Sequence, residues 1–181
     1  MADTTTSLMT VEEYCRLPEE SEAFYYELRH GELVKVCRPK PKHTKTQRRL
    51  RQLLDAVAGE AGIVEIEIPF SALPEYELRV ADVAFVSKER WDEMAPDIYL
   101  QGAPELVIEI LSPSNTAEEI LDKEKLCLEN GCREFWVVDG KRRQIKVSTP
   151  DGVTKTYHAG QEIPLTLFGG ASLKVDAIFA K

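Results

Sequence analysis

The chain has 181 residues, 43% hydrophobic and 30% charged. That is the length and composition of one ordinary globular domain, which excludes collagen-like, disordered and membrane-spanning classes. Against 31 Asp and Glu stand 23 Lys and Arg, a net charge of −8, so the chain as a whole is no general nucleic-acid coat.

Residues 1–9 carry no basic and apolar leader, which predicts a loose tail ahead of a single domain at 10–181 and a soluble, cytoplasmic protein. Thr10 and Glu13 form a T-x-x-E capping box that opens a short helix ending near Pro18. Residues 24–28 and 32–36 read as a hairpin turned at His30-Gly31. The prolines of RPKPKHTKTQRRLR (38–51) end that strand before a helix over about 42–61. Its Leu50, Leu53, Leu54, Val57, Ala58 and Ala61 keep the helical period, and Gly62 is expected to close it.

Val64, Ile66, Ile68 and Phe70 alternate with Glu65 and Glu67, the pattern of a half-buried strand. Residues 80–86 are a second, almost wholly apolar strand, and 88–100 a short helix and loop. Residues 106–111 predict another buried strand. Thr116 and Glu119 then open a helix to about Asn130, ended by Gly131. Residues 135–138, 144–148 and 153–157 read as a meander, and ASLKVDAIF (171–179) as a last strand or short helix. Cys15, Cys37, Cys127 and Cys132 form no CxxC pair, which predicts reduced, packing cysteines. The economical fold is one α/β domain with a mixed sheet.

Two acidic residues stand in unusual surroundings: Asp82 in VADVAFV and Glu109 in LVIEIL. Burying an isolated carboxylate costs several kcal/mol, so strands avoid it unless a cation compensates. The plain alternative is an edge strand facing solvent or an Arg pair. Two such residues in apolar strands, with a lysine-bearing helix directly after the second, point instead to a site. On that helix Ile120, Leu121, Cys127 and Leu128 mark a buried stripe, with Lys123 and Lys125 about 100° to either side, so spacing leaves both lysines open. Glu124 falls in mid-stripe against the pattern. Two carboxylates suit a hard cation such as Mg²⁺ or Mn²⁺, which acidifies a water, while a lysine stabilises charge developing on phosphate. That chemistry is metal-assisted phosphodiester hydrolysis.

Residues 38–51 hold Arg38, Lys40, Lys42, Lys45, Arg48, Arg49 and Arg51 with no acid between them. A solvated face is the plain reading. The sharper one is a nucleic-acid backbone contact at Lys42, Lys45, Arg48 and Arg49, placed where a helix start favours phosphate. Lys141, Arg142, Arg143 and Lys146 form a weaker, solubilising cluster.

The runs ADVAFV (81–86), GAPELVIEILSPS (102–114) and EFWVVD (134–139), with YELRHGEL (26–33) and His43, resemble the Uma-two family of the PD-(D/E)xK nuclease superfamily over about residues 10–179. The resemblance implies a restriction-endonuclease-like mixed β-sheet flanked by helices, with an N-terminal hairpin and a C-terminal β-meander. It implies a metal-dependent DNA endonuclease using Mg²⁺ or Mn²⁺, with Asp82, Glu109 and the backbone carbonyl of Ile110 as ligands. The general superfamily pattern puts a lysine where this chain has Leu111. The family resemblance moves it to the next helix and favours Lys123 over Lys125. Glu27 resembles an upstream acid and His43 a neighbour of the substrate groove. Ala81 departs from the usual proline, and Cys127 from a frequent aromatic.

Expected partners are DNA and a second copy of the chain, since a symmetric pair suits two-strand cutting, with no membrane and no organic cofactor. The rival reading is a non-catalytic module of the same fold that binds nucleic acid or protein. A weaker one is a hydrolase of smaller phosphoesters.

Overall fold

A computed structural model describes residues 8–17, 23–73 and 75–180. Residues 1–7 of the expected tail, and Pro18, lie outside them. Residues 8–9 are not loose, because the Met9 amide donates to the Gly31 carbonyl at 2.9 Å. The first capping box forms as expected on α1, Val11–Tyr14. Strands β1 (Phe24–Arg29) and β2 (Glu32–Cys37) pair antiparallel. His30 and Gly31 take the left-handed backbone (φ 50° and 77°) that a two-residue hairpin turn requires.

Helix α2, Pro41–Ala58, starts on a proline in its first turn and passes into a 3-10 turn at Gly59–Ala61. Gly62 does not close the helix; it opens β3, Gly62–Ser71. A Cβ at Gly62 would lie 2.1 Å from the Val86 carbonyl oxygen, so only glycine permits this approach to β4, Arg79–Ser87. Then follow α3 (Lys88–Glu93), β5 (Leu100–Gln101), β6 (Leu106–Ile110), α4 (Ala117–Glu129), β7 (Glu134–Asp139), β8 (Gln144–Ser148) and β9 (Thr154–His158). The C-terminal segment forms both a strand and a helix: β10 (Glu162–Leu165) pairs with β11 (Ala171–Lys174), and α5 (Val175–Ile178) follows. Sequence reading passes over β10 because Pro164 sits inside it, which a two-stranded edge tolerates.

Seven strands form one mixed sheet in the order β5-β3-β4-β6-β7-β8-β9, with β6–β7 and β3–β5 parallel and the other pairs antiparallel. Alternating side chains of the central strands feed two cores. Leu50 and Leu54 of α2 pack with Val83, Ile108, Trp136 and the C-terminal Ile163, Val175 and Ile178. Ile120, Leu126 and Cys127 of α4 pack with Ala84, Val107, Phe135 and Val137. All four cysteines are free, Cys127 and Cys132 buried and Cys15 and Cys37 exposed.

The expected stripe of α4 is corrected. Leu121 is 59% exposed, and the buried positions are Ile120, Lys123, Leu126 and Cys127. The helix is turned so that a lysine, not a leucine, meets the sheet. Glu124 is explained by Lys146 of β8, whose Nζ lies 2.5 Å from its carboxylate.

Leu54 is fully buried between α2 and the sheet. Leu54→Ala is expected to cost about 2–5 kcal/mol in urea unfolding, and a loss within experimental error would show that α2 is not part of the cooperative core.

Candidate active site

The antiparallel pairing of β4 with β6 runs from Phe85 opposite Leu106 to Val83 opposite Ile108 and stops there. One step beyond, side chains replace the missing backbone partners. Asp82 Oδ2 accepts the Ile110 amide at 2.7 Å, and Glu109 Oε1 faces the Asp82 amide at 3.4 Å. The two carboxylates expected from sequence are thus fixed side by side in the fork of two splaying strands.

Leu106, Ile108 and Ile110 of β6 face the α2 side, so strand alternation turns Glu109 toward α4. There Lys123 Nζ lies 2.8 Å from Glu109 Oε1 and 3.8 Å from Glu27 Oε1, and it donates to the Val80 carbonyl at 2.6 Å. Glu27 reaches the same place from β1, accepting the Val80 amide at 2.9 Å and Arg29 Nε at 2.8 Å. Lys125, by contrast, is 76% exposed and lies 4.0 Å from Glu129. Of the two candidate lysines, the fold brings Lys123 to the carboxylates.

From the other face, α2 supplies His43 and Gln47, one helical turn apart. His43 Nε2 stands 2.9 Å from Asp82 Oδ1 without an aligned hydrogen bond, a contact that becomes an ion pair when the imidazole is protonated. Gln47, 0% exposed, donates from Nε2 to Asp82 Oδ1 at 3.2 Å and, by a short bond, to Glu67 Oε1. Glu67 has φ 54°, a left-handed conformation that costs a non-glycine residue about 1 kcal/mol. The regular pairing of β3 with β4 skips Glu67 and Asp82. On either side the strands change face: Ile66 and Val83 pack into the α2 core, Ile68 and Ala81 into the α4 core.

Burial and charge decide the proton affinities. Burial of Glu109, opposed by Lys123 and reinforced by Asp82 and Glu27, pushes its carboxyl up to about 7. Burial acts likewise on Glu27, but Lys123, Arg29 and the Val80 amide outweigh it and hold that carboxyl below its usual value. For Lys123 burial is overcome by Glu109 and Glu27, which raise it. Burial would lower His43, yet contact with Asp82 and the charges of Glu67 and Glu109 leave it raised. Burial, and then Asp82, raise Glu67 despite the Gln47 bond.

Sequence reading did not identify Gln47 or Glu67. Gln47 lies i+4 from His43, a spacing that signals a shared helix face. Glu67 is indistinguishable from Glu65 in an alternating strand, although Glu65 pairs outward with Arg51 at 2.9 Å.

The basic block divides. Lys42, Lys45 and Arg48 are exposed on the side of α2 away from the sheet. Arg49 Nε donates to the Ala177 carbonyl at 3.0 Å and Arg51 Nε to that of Val64 at 3.1 Å, so both tie α2 to its surroundings. Three residues of the second cluster are paired: Arg142 with Asp139 at 2.9 Å, Arg143 with Asp176 at 3.1 Å, and Lys146 with Glu124. Among the described residues no helix is long and apolar enough to cross a membrane.

A forked strand pair carrying two acids against a helix-borne lysine, inside a mixed sheet with helices on both faces, is a nuclease-like architecture. A solved structure described as a "putative nuclease belonging to DUF820" from Anabaena variabilis ATCC 29413 superposes with a TM-score of 0.80, at 20% identity, over 94% of this chain and 97% of that one. The chain belongs to the Uma2 family, described as "Putative restriction endonuclease", whose model matches residues 11–176. No protein of curated function matches it. Family and fold together support a nuclease-like function.

Glu109 binds its proton more tightly folded than unfolded. Its protonated form is therefore the one the fold favours, and its contribution to stability is lost as pH rises from about 4.5 to about 7. In EDTA, the stability of wild type relative to Glu109→Gln is expected to fall across that window in pH-resolved urea titrations. A difference independent of pH would show that Glu109 ionises normally.

Proposed function

We propose that the chain is a Mg²⁺- or Mn²⁺-dependent DNA endonuclease of PD-(D/E)xK type, in which Asp82 and Glu109 hold the cation and Lys123 serves the reacting phosphate. The observation that carries this reading is the junction of Asp82, Glu109 and Lys123 at one fork of the sheet, with Lys123 2.8 Å from Glu109.

The donor set fits a hard divalent ion. Its atoms are carboxylate oxygens: Glu109 and Glu27 lie at Lys123, and Asp82 and Glu67 meet at the Gln47 amide. Buried Glu67 Oε2 and Gln47 Oε1 have no donor among the described residues, a deficit that a hydrated cation relieves. Among the described residues no three His, Cys, Asp or Glu side chains make a ready cage; the family resemblance adds the Ile110 carbonyl to the two carboxylates, with water completing the set. When bound, the ion would supply Lewis acidity toward a water and the scissile phosphate.

The chain's own groups do the rest. Lys123, kept charged by Glu109 and Glu27, holds Glu109 in place and offers an ammonium to the charge that develops on phosphate. Its bond to the Val80 carbonyl fixes the side chain, so little reorganisation is needed. Glu27 acts as an anchor for Lys123 and β4. His43 stands beside Asp82 at the edge reached from α2. Lys42, Lys45 and Arg48 supply an exposed positive strip for the nucleic-acid backbone, whereas Arg49 is engaged within the fold. A homodimer would bring two such forks to the two strands.

With supercoiled plasmid or single-stranded DNA and Mg²⁺ or Mn²⁺, wild type is expected to cut, and Asp82→Ala, Glu109→Ala and Lys123→Ala each to lose more than about a hundredfold in rate. Wild type that cuts no better than these variants on any substrate refutes the enzyme reading; retained DNA binding would then favour the non-catalytic module. Replacing Lys42, Lys45 and Arg48 together by alanine is expected to lower the slope of log binding constant against log salt by about 2 to 3. An unchanged slope would remove α2 from the interface.

A further inference from the structure

Glu67 and Gln47 lie outside the set of two acids and a lysine, yet the fold holds both at Asp82 in a costly way. A non-glycine residue persists in left-handed backbone only when its surroundings over-determine it. Glu67 does so opposite Asp82, where β3 and β4 interrupt their pairing and exchange faces. A regular strand would turn the side chain at 67 away from Gln47; the inversion delivers its carboxylate to the Gln47 amide.

That amide has one arrangement consistent with its neighbours. Its nitrogen carries two hydrogens and faces two carboxylates, Asp82 Oδ1 at 3.2 Å and Glu67 Oε1 closer still. The reverse orientation would set a carbonyl oxygen against two anions. Without Glu67, the fully buried Gln47 would have no second anchor and could rotate away from Asp82. Asp82 would then keep the Ile110 amide on Oδ2, but Oδ1 would lose the one aligned hydrogen-bond donor it has among the described residues, leaving the off-line His43 contact.

We propose that Glu67 is a positioning residue: from an inverted backbone it clamps the buried Gln47 amide, which aims the Asp82 carboxylate for divalent-cation uptake. This rests on the assignment of Asp82 as a cation ligand. Partners of ligating carboxylates commonly change metal affinity 10–100-fold when removed.

The test is Mn²⁺ titration of the purified full-length chain, with thermal unfolding in EDTA alongside, for wild type, Glu67→Gly, Gln47→Leu, the double variant and Asp82→Asn. Glycine carries no penalty at φ 54°, so Glu67→Gly is expected to melt at or above the wild-type temperature while binding Mn²⁺ at least about tenfold more weakly. A purely structural role would not separate these readouts. Gln47→Leu is expected to weaken Mn²⁺ binding by a similar factor, and the double variant by no more than either single one, because the two side chains act as one relay. Wild-type Mn²⁺ affinity in Glu67→Gly, or losses that multiply in the double variant, would overturn the proposal. If Asp82→Asn still abolishes binding in either case, the assignment of Asp82 stands. Mn²⁺ affinity unaffected by Asp82→Asn would overturn that assignment and the role of Glu67 with it.

Discussion

The contact between Glu109 and Lys123 is the constraint around which the rest of the structure is arranged. Both are nearly excluded from water, at 7% and 6% exposure. A buried ion pair of this kind adds little stability, because desolvation offsets most of the attraction, whereas loss of one partner is severe. Its effect is on arrangement. α4 turns its lysine inward and leaves Leu121 in solvent. A belt of charges keeps it there: Asp122 accepts from Arg79 at 2.8 Å and contacts His30 at 2.8 Å, and Arg29 binds Glu119 at 2.7 Å. Arg79 and His30 both close on Glu77, at 2.8 and 2.7 Å. The N-terminal hairpin, which adds no strand to the seven-stranded sheet but bridges Leu28 to Leu78 just before β4, thus acts as a bracket that pins α4 over the fork.

The fork is the second element of the design. Where β4 and β6 part, backbone groups that would otherwise pair are freed, and Asp82 and Glu109 take their places. A regular sheet would leave no room for carboxylates; a wider opening would flood them. The inverted residue at 67 and the α2 side chains close the opposite wall, so the acids are approached from two helices and held by neither alone. Of the four acids gathered here Glu27 and Glu109 are buried, while Asp82 and Glu67 stay partly open to solvent.

Much of this was legible in the sequence. The apolar strands, both capping boxes and the hairpin turn follow from local chemistry, and Asp82 and Glu109 announce themselves as charges in runs that otherwise demand burial. The choice of Lys123 over Lys125 was not available from helical spacing, because the two flank the apolar stripe symmetrically. The rotation of α4 that decides it is imposed by Glu109, a contact distant in sequence. Glu67 was hidden for the same reason. Beside Glu65 in an alternating strand nothing local marks it, and its inversion lies opposite Asp82 of β4, a neighbour distant in sequence. Gly62 misled in the other direction, since a glycine after a helix reads as a cap when its reason lies in the close approach of Val86.

The central claim is that Asp82 and Glu109 share one divalent cation beside Lys123. A crystal structure with Mn²⁺, with anomalous diffraction locating the ion, tests it most directly. The expected result is a peak within about 2.0–2.6 Å of an oxygen of each carboxylate, with Lys123 in the same cleft. A peak bound elsewhere, or none at the fork when Mn²⁺ is saturating, would contradict it.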